Sequence, residues 1–322
     1  MSTPKQNTVY DIIIVGGGPA GLTAGLYACR GGMDTLLLEQ VGAGGEIATA
    51  ELVENYPGFP EGINGYELAE KMKLQAEKFG LDIRIEKVRK ITEEKGKKVV
   101  ETRKQEYRTL SVVIAVGSNP MKLGIPGEEE LRGKGVSYCA TCDGPFFRDK
   151  EIAVVGGGNT AVQEALFLSK FAARVHLIHR RSRLRAAKIL QERLFHDEKI
   201  KFVKDSIVTR IGGEGKVETV FVKNVKTGLA SELSLGGIFI AVGYEPNTGF
   251  LKGTVELDEY AYILTDEDMK TSAEGIYACG DVRKKKLRQV VTACGEGAAA
   301  AFSARNYVEE LKGTAYGENF SV

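Results

Sequence analysis

Tyr10-Asp11-Ile12-Ile13-Ile14-Val15 runs straight into Gly16-Gly17-Gly18-Pro19-Ala20-Gly21, and this junction decides the fold. The first six residues suit a strand buried on both faces, the form a parallel sheet requires. Each glycine of the Gly-x-Gly-x-x-Gly pattern then has its own task. Gly16 makes the tight turn, Gly18 admits a pyrophosphate close to the backbone, and Gly21 lets the next helix pack closely on the strand. A helix is expected over residues 20–30, stopped by Gly31-Gly32, and a second strand (DTLLLE) over 34–39. The N-terminus of that helix, with Pro19 and Ala20 before Gly21, meets the phosphate charge. Glu39, 18 residues past the last glycine, is placed to accept hydrogen bonds from adenosine ribose hydroxyls.

The same pattern returns. Glu151-Ile152-Ala153-Val154-Val155 leads into Gly156-Gly157-Gly158-Asn159-Thr160-Ala161, with a helix expected over 160–172 and a strand over 174–179. The registers match: Gly16 to Glu39 spans 23 residues, and so does Gly156 to His179. The end of the unit differs, for the acid is replaced by His179-Arg180-Arg181, with Arg183 and Arg185 beyond. A carboxylate there suits a free ribose 2′-hydroxyl, whereas arginines suit a 2′-phosphate through charged, often bidentate hydrogen bonds. A solvated charge run is the plainer reading of any basic cluster, but the matched register favours a phosphate. The second unit therefore reads as an NADP site and the first as a site for another nucleotide.

Tyr138-Cys139-Ala140-Thr141-Cys142-Asp143-Gly144 stands just before the second glycine loop. Two intervening residues let the sulfurs close a small disulfide ring, and such pairs lower a thiol pKa toward neutrality. Asp143 is placed to act as a general acid for a thiolate. Structural zinc wants two such pairs or a Cys/His set, and neither is present, so no metal is expected. Cys29, Cys279 and Cys294 read as packing residues. A chain with two dinucleotide units and a dithiol calls for a carrier between hydride and disulfide chemistry, which a flavin supplies.

Near the C-terminus a strand over 275–279 ends in Gly280-Asp281-Val282 and is followed by Arg288-Gln289 and a Gly/Ala-rich helix. Asp281 suits ribityl hydroxyls, and the helix N-terminus suits negative charge on a reduced ring. This segment follows the nicotinamide unit, so the first domain is read as split: 1–116 with 246–322, and 117–245 inserted. Pro120 and Pro246, with the glycines beside them, mark the crossings. Lys284-Lys285-Lys286 reads as an exposed loop. The fold class expected is α/β, two Rossmann-like dinucleotide-binding domains with the second inserted in the first.

Composition agrees. The 322 residues suit two domains. Glycine is enriched, at 39 residues, roughly 12% against a usual ~7%. Lys+Arg total 44 against 43 Asp+Glu, which gives no footing for nucleic acid or a polybasic membrane anchor. No apolar run approaches a membrane span, no signal-peptide stretch opens the chain, and five cysteines without framework spacing suggest a reducing, cytoplasmic setting.

These residues together resemble the low-molecular-weight, bacterial-type thioredoxin reductases, and the resemblance covers nearly the whole chain. Its elements are the two glycine loops, Gly44-Gly45, Glu54-Asn55-Tyr56-Pro57-Gly58, the Cys139–Gly144 motif, His179-Arg180-Arg181 with Arg185, and Gly280-Asp281-Val282 with Arg288-Gln289. The resemblance implies FAD held by Gly16, Gly18, Pro19, Ala20, Gly21, Glu39, Gly44, Gly45, Glu46, Asn55, Gly280, Asp281, Arg288, Gln289 and Val290. It implies NADPH held by Gly156, Gly158, Asn159, Thr160, Ala161, His179, Arg180, Arg181 and Arg185. It further implies a homodimer, Cys142 as the sulfur facing the flavin, Cys139 as attacker of thioredoxin's disulfide, Asp143 as the acid, and a domain rotation between two working arrangements. Glu46, where relatives often carry Gln, and Ala115-Val116-Gly117, in place of Ala-Thr-Gly, are departures that remove no catalytic group. The alternatives are a related flavoprotein disulfide reductase with another donor (ferredoxin) or acceptor (a peroxiredoxin-type protein or small dithiol), and a non-catalytic nucleotide-binding or redox-sensing module.

Overall fold

The computed structural model describes residues 9–50 and 52–315. The chain divides into two compact units, Met1–Asn119 with Glu245–Val322, and Pro120–Tyr244.

The first unit opens with β1 (Val9–Val15), α1 (Pro19–Arg30), β2 (Thr35–Glu39), α2 (Gly65–Lys78), β3 (Asp82–Ile85), β4 (Val88–Glu94), β5 (Lys97–Thr102) and β6 (Glu106–Ile114). The sheet runs β3-β2-β1-β6-β5-β4. β3, β2, β1 and β6 pair in parallel, whereas β4, β5 and β6 form an antiparallel meander. Ile12, Ile13, Ile14, Leu36 and Leu37 are fully buried, as expected of strands covered on both faces. Helix α1 begins one residue earlier than expected, because Pro19 takes the first helical position, where its missing N–H costs nothing.

The chain leaves through β7 (Ser118–Pro120), which pairs with the returning strand. The second unit then holds β8 (Val136–Ser137), α3 (Ala140–Asp143), β9 (Glu151–Val155), α4 (Asn159–Leu168), β10 (Arg174–Ile178), α5 (Lys188–His196) and β11 (Ile200–Val203). It continues with β12 (Ser206–Gly212), β13 (Thr219–Asn224), β14 (Ala230–Ser234) and β15 (Gly237–Ile240), and β16 (Tyr244–Pro246) leads back out. Its sheet is all parallel in the order β11-β10-β9-β15-β8, beside an antiparallel ribbon β12-β13-β14. Helix α4 ends at Leu168, four residues short of the expected limit. The chain continues in tighter i→i+3 turns, with Lys170 N–H on Phe167 O (3.2 Å) and Phe171 N–H on Leu168 O (3.0 Å).

The return completes the first unit. β17 (Ile276–Ala278) adds to β6 in parallel, and α6 (Val290–Lys312) packs on α1 through Ala293, Ala300, Ala301 and Ala304. The seventh strand of the first sheet thus comes from the far end of the chain.

Candidate functional site

In the first unit the glycine loop is shaped by its surroundings. Gly16 has φ +107°, and a Cβ there would meet Ala115 O at 2.4 Å. A Cβ on Gly21 would sit 1.9 Å from Gly16 O, so only glycine permits the loop and α1 to touch. Glu39, at the end of β2, accepts Gly17 N–H on Oε2 (2.7 Å) and Val41 N–H on Oε1 (3.1 Å). It therefore fastens the loop, and its lone pairs leave capacity for more donors, such as the ribose hydroxyls expected from the sequence. Gly44 N–H donates to Gly17 O (2.7 Å), and Gly45 lies close to the Gly18 backbone. Glu46 lies in the short 3-10 turn Gly45–Thr49 and is exposed.

The C-terminal segment reaches the same loop. A Cβ on Gly280 (φ +76°) would be 2.8 Å from Ala20 Cβ. Asn55 Nδ2 donates to Gln289 Oε1 (2.9 Å), and Gln289 caps α6 just ahead of Val290. Gly16, Gly18, Pro19, Ala20, Gly21, Glu39, Gly44, Gly45, Gly280, Asn55 and Gln289 are thus linked in one unit. Two atoms test whether a flavin nucleotide fits. Asp281 Oδ1 is shut off from solvent and makes no aligned hydrogen bond, with Lys285 Nζ an ion-pair partner at 3.0 Å, and Arg288 Nε is buried without an acceptor while its guanidinium lies over the Tyr262 ring at 4.4 Å. A ribityl hydroxyl is a donor of the kind Asp281 lacks, so the donor set fits FAD. Cys279 is fully buried and its thiol is pushed up to about 12 by burial, which makes it inert packing.

In the second unit Gly156 turns β9 into α4, and its Cβ would strike Ala241 O at 2.4 Å and Ala161 Cβ at 2.5 Å. Gly158 caps α4 ahead of Asn159 and Thr160, and Asn159 Oδ1 accepts Ala187 N–H (2.8 Å). The buried ring of His179 lies on Gly157, where a Cβ would come within 2.4 Å of it. Burial first, then Arg185, Arg180 and Arg181, hold this imidazole below its ordinary range, which favours its neutral form. Arg185 N–H donates to Gly157 O (2.7 Å), which binds the arginine segment to the loop. Arg180, Arg181, Arg183 and Arg185 are exposed, and none takes part in an ion pair among the described residues. A free guanidinium cluster at a glycine loop suits a phosphate monoester.

The cysteines form a disulfide, Cys139 to Cys142, with Cα atoms 5.3 Å apart. Cys139 is the N-cap of α3, and Asp143 closes that single turn. Ser137, buried on β8, organises both ends: its Oγ accepts Cys139 N–H (3.1 Å) and donates to Asp143 Oδ2 (2.6 Å). Burial raises the Asp143 pKa, and the Ser137 hydrogen bond opposes that rise. Tyr138, between them, is pinned on both sides. Its hydroxyl donates to the buried Glu128 (2.8 Å), and its carbonyl accepts from Tyr244 Oη (2.6 Å). Ser137, Glu128 and Tyr244 escape motif reading, since only the fold brings them to the pair. Ser137, two residues before the first cysteine, carried the one local hint.

One expectation is corrected. Lys284 and Lys286 are exposed, but the Lys285 side chain is only 10% exposed and is paired with Asp281 and Glu296, so the run is not uniformly a surface loop. Among the described residues no group of three or more metal-ligating side chains gathers, and no helix is long and apolar enough to cross a membrane.

The model of the pyridine nucleotide-disulphide oxidoreductases matches residues 10–297. The thioredoxin reductase of Peptoclostridium litorale is 47% identical over 95% of this chain and 99% of its own. That of Bacillus subtilis (strain 168) is 46% identical over 96% and 98%. The crystal structure of thioredoxin reductase from Streptococcus pyogenes MGAS5005 superimposes with a TM-score of 0.91 at 46% identity, covering 95% of this chain and all of that one. Kinship at this level along nearly its full length makes the chain a member of the pyridine nucleotide-disulphide oxidoreductase family and, within it, of the thioredoxin reductases.

Proposed function

We propose that the protein is an NADPH-dependent, FAD-containing thioredoxin reductase, and the Cys139–Cys142 disulfide with Asp143 beside it is the observation that carries this reading. The first unit holds FAD and the second NADPH, with residues 1–116 and 246–322, and 117–245, as the functional domains. Bound FAD supplies a two-electron carrier between a hydride donor and a disulfide. Every other role belongs to the chain. The two glycine loops and helix N-termini seat the pyrophosphates. Arg180, Arg181 and Arg185 select the 2′-phosphate, and neutral His179 packs the loop. The Cys139–Cys142 bond takes up two electrons and two protons and opens to two thiols. Cys139, as thiolate, then attacks one sulfur of thioredoxin's disulfide. A mixed disulfide forms, and the departing thioredoxin sulfur takes a proton held by Asp143. Cys142 attacks Cys139, the internal disulfide reforms, and the second thioredoxin sulfur leaves as a thiol. The enzyme acts as a cytoplasmic homodimer. The free Cys29, Cys279 and Cys294 are consistent with a reducing compartment.

Stopped-flow oxidation of NADPH with thioredoxin tests this. Fast turnover is expected with NADPH and slow turnover with NADH. Cys139→Ser is expected to keep NADPH-driven bleaching of the yellow protein and to lose thioredoxin reduction. Thioredoxin turnover in that variant removes Cys139 from the mechanism, and a colourless wild type removes the flavin.

A further inference from the structure

Four side chains surround the turn that carries Asp281. Lys285 Nζ stands 3.0 Å from Asp281 Oδ1 and 3.4 Å from Glu296 Oε2. Glu296, on α6, accepts Gly280 N–H on Oε2 (2.8 Å) and pairs through Oε1 with Arg283 Nη1 (3.1 Å). Lys285, Arg283 and Glu296 are each under one-fifth exposed. Two cations and two carboxylates therefore balance within one turn and the helix that follows it. Such a balanced set holds its geometry, whereas removing one member leaves a half-buried charge without a partner. The Lys285–Asp281 contact has the distance of an ion pair without the alignment of a hydrogen bond, so it aims the carboxylate and leaves Oδ1 without a donor. Gly280, pressed on Ala20, fixes the other end of the turn against the first glycine loop.

We infer that Lys285 and Glu296 are positioning residues for the flavin nucleotide: together they hold Asp281 and the Gly280 backbone in the posture that binds the ribityl chain. The inference rests on the FAD reading above and extends it to two residues that no motif singled out. Lys285 fixes the carboxylate by charge, and Glu296 fixes Lys285 and the turn's backbone together.

The test is FAD titration of apoprotein, read by quenching of flavin fluorescence, with apoprotein melting measured alongside. Lys285→Met and Glu296→Gln are each expected to weaken FAD binding by about tenfold or more, equivalent to about 1.4 kcal/mol. Lys285→Arg is expected to regain most of that loss, the loss of FAD affinity is expected to exceed what any fall in apoprotein melting accounts for, and NADPH affinity is expected to stay near wild type. Affinities within about twofold of wild type in Lys285→Met overturn the inference, as does a loss that tracks apoprotein melting and is not regained by Lys285→Arg. Should Glu296→Gln fail to fold, the lysine pair decides alone. A wild-type apoprotein that takes up no FAD overturns the cofactor reading instead.

Discussion

Asp143 shows how much one hydroxyl sets. Burial favours its protonated form, and the hydrogen bond from Ser137 favours the carboxylate. The carboxyl delivers its proton only while protonated, so thiol-step turnover falls as pH rises through its pKa. Ser137→Ala removes the opposing hydrogen bond, the pKa rises further, and the falling limb of the pH–kcat profile is expected to move to higher pH. A stopped-flow pH profile checks this, with Asp143→Asn as the control that loses the limb altogether. The Cys139–Cys142 disulfide was legible from spacing alone. Ser137 was not marked, because its bonds to Cys139 N–H and Asp143 Oδ2 depend on the turn from β8 into α3 and belong to no motif.

At the scale of elements, the glycine loops were legible because their backbone demands are local. The residue between the first two glycines was not. Gly17 donates to Glu39, and Gly157 carries the His179 ring, so each depends on a residue 22 positions on. The helix limits missed by one to four residues, where proline at N1 and 3-10 turns replaced the expected ends. Helix α4 also carries a charge the pattern did not predict. Glu164 Oε2 is buried without a partner, and burial alone lifts its carboxyl to about 7. Its neutral form contributes stability that is fully present below the unfolded-state pKa and is lost as pH rises through 7. Glu164→Gln is therefore expected to stabilise the protein at about pH 8.5 by up to about 3 kcal/mol, and to change little at about pH 4. Urea unfolding at both pH values checks it.

At the scale of the whole molecule, the reading of a split chain rests on segment order, the Gly280-Asp281 segment following the second glycine loop. The compact units divide after Asn119 and before Glu245. The assembly was indicated by resemblance alone. Tyr27 on α1 and Phe302 and Leu311 on α6 are half exposed. Sedimentation equilibrium is expected to return twice the chain's 34.9 kDa; a single chain mass overturns the homodimer.

β17 pairs with β6, yet 162 residues separate Ile114 from Ile276. A ribosome adding roughly 5–20 residues per second needs roughly 8–32 s to span that distance. Throughout that interval the nascent polypeptide carries Val112, Val113 and Ile114 on an open sheet edge, while the contiguous segment 120–244 emerges complete. Biogenesis therefore runs inside-out, the inserted body maturing first and the enclosing one waiting for its last strand, with chaperone cover most needed at that edge.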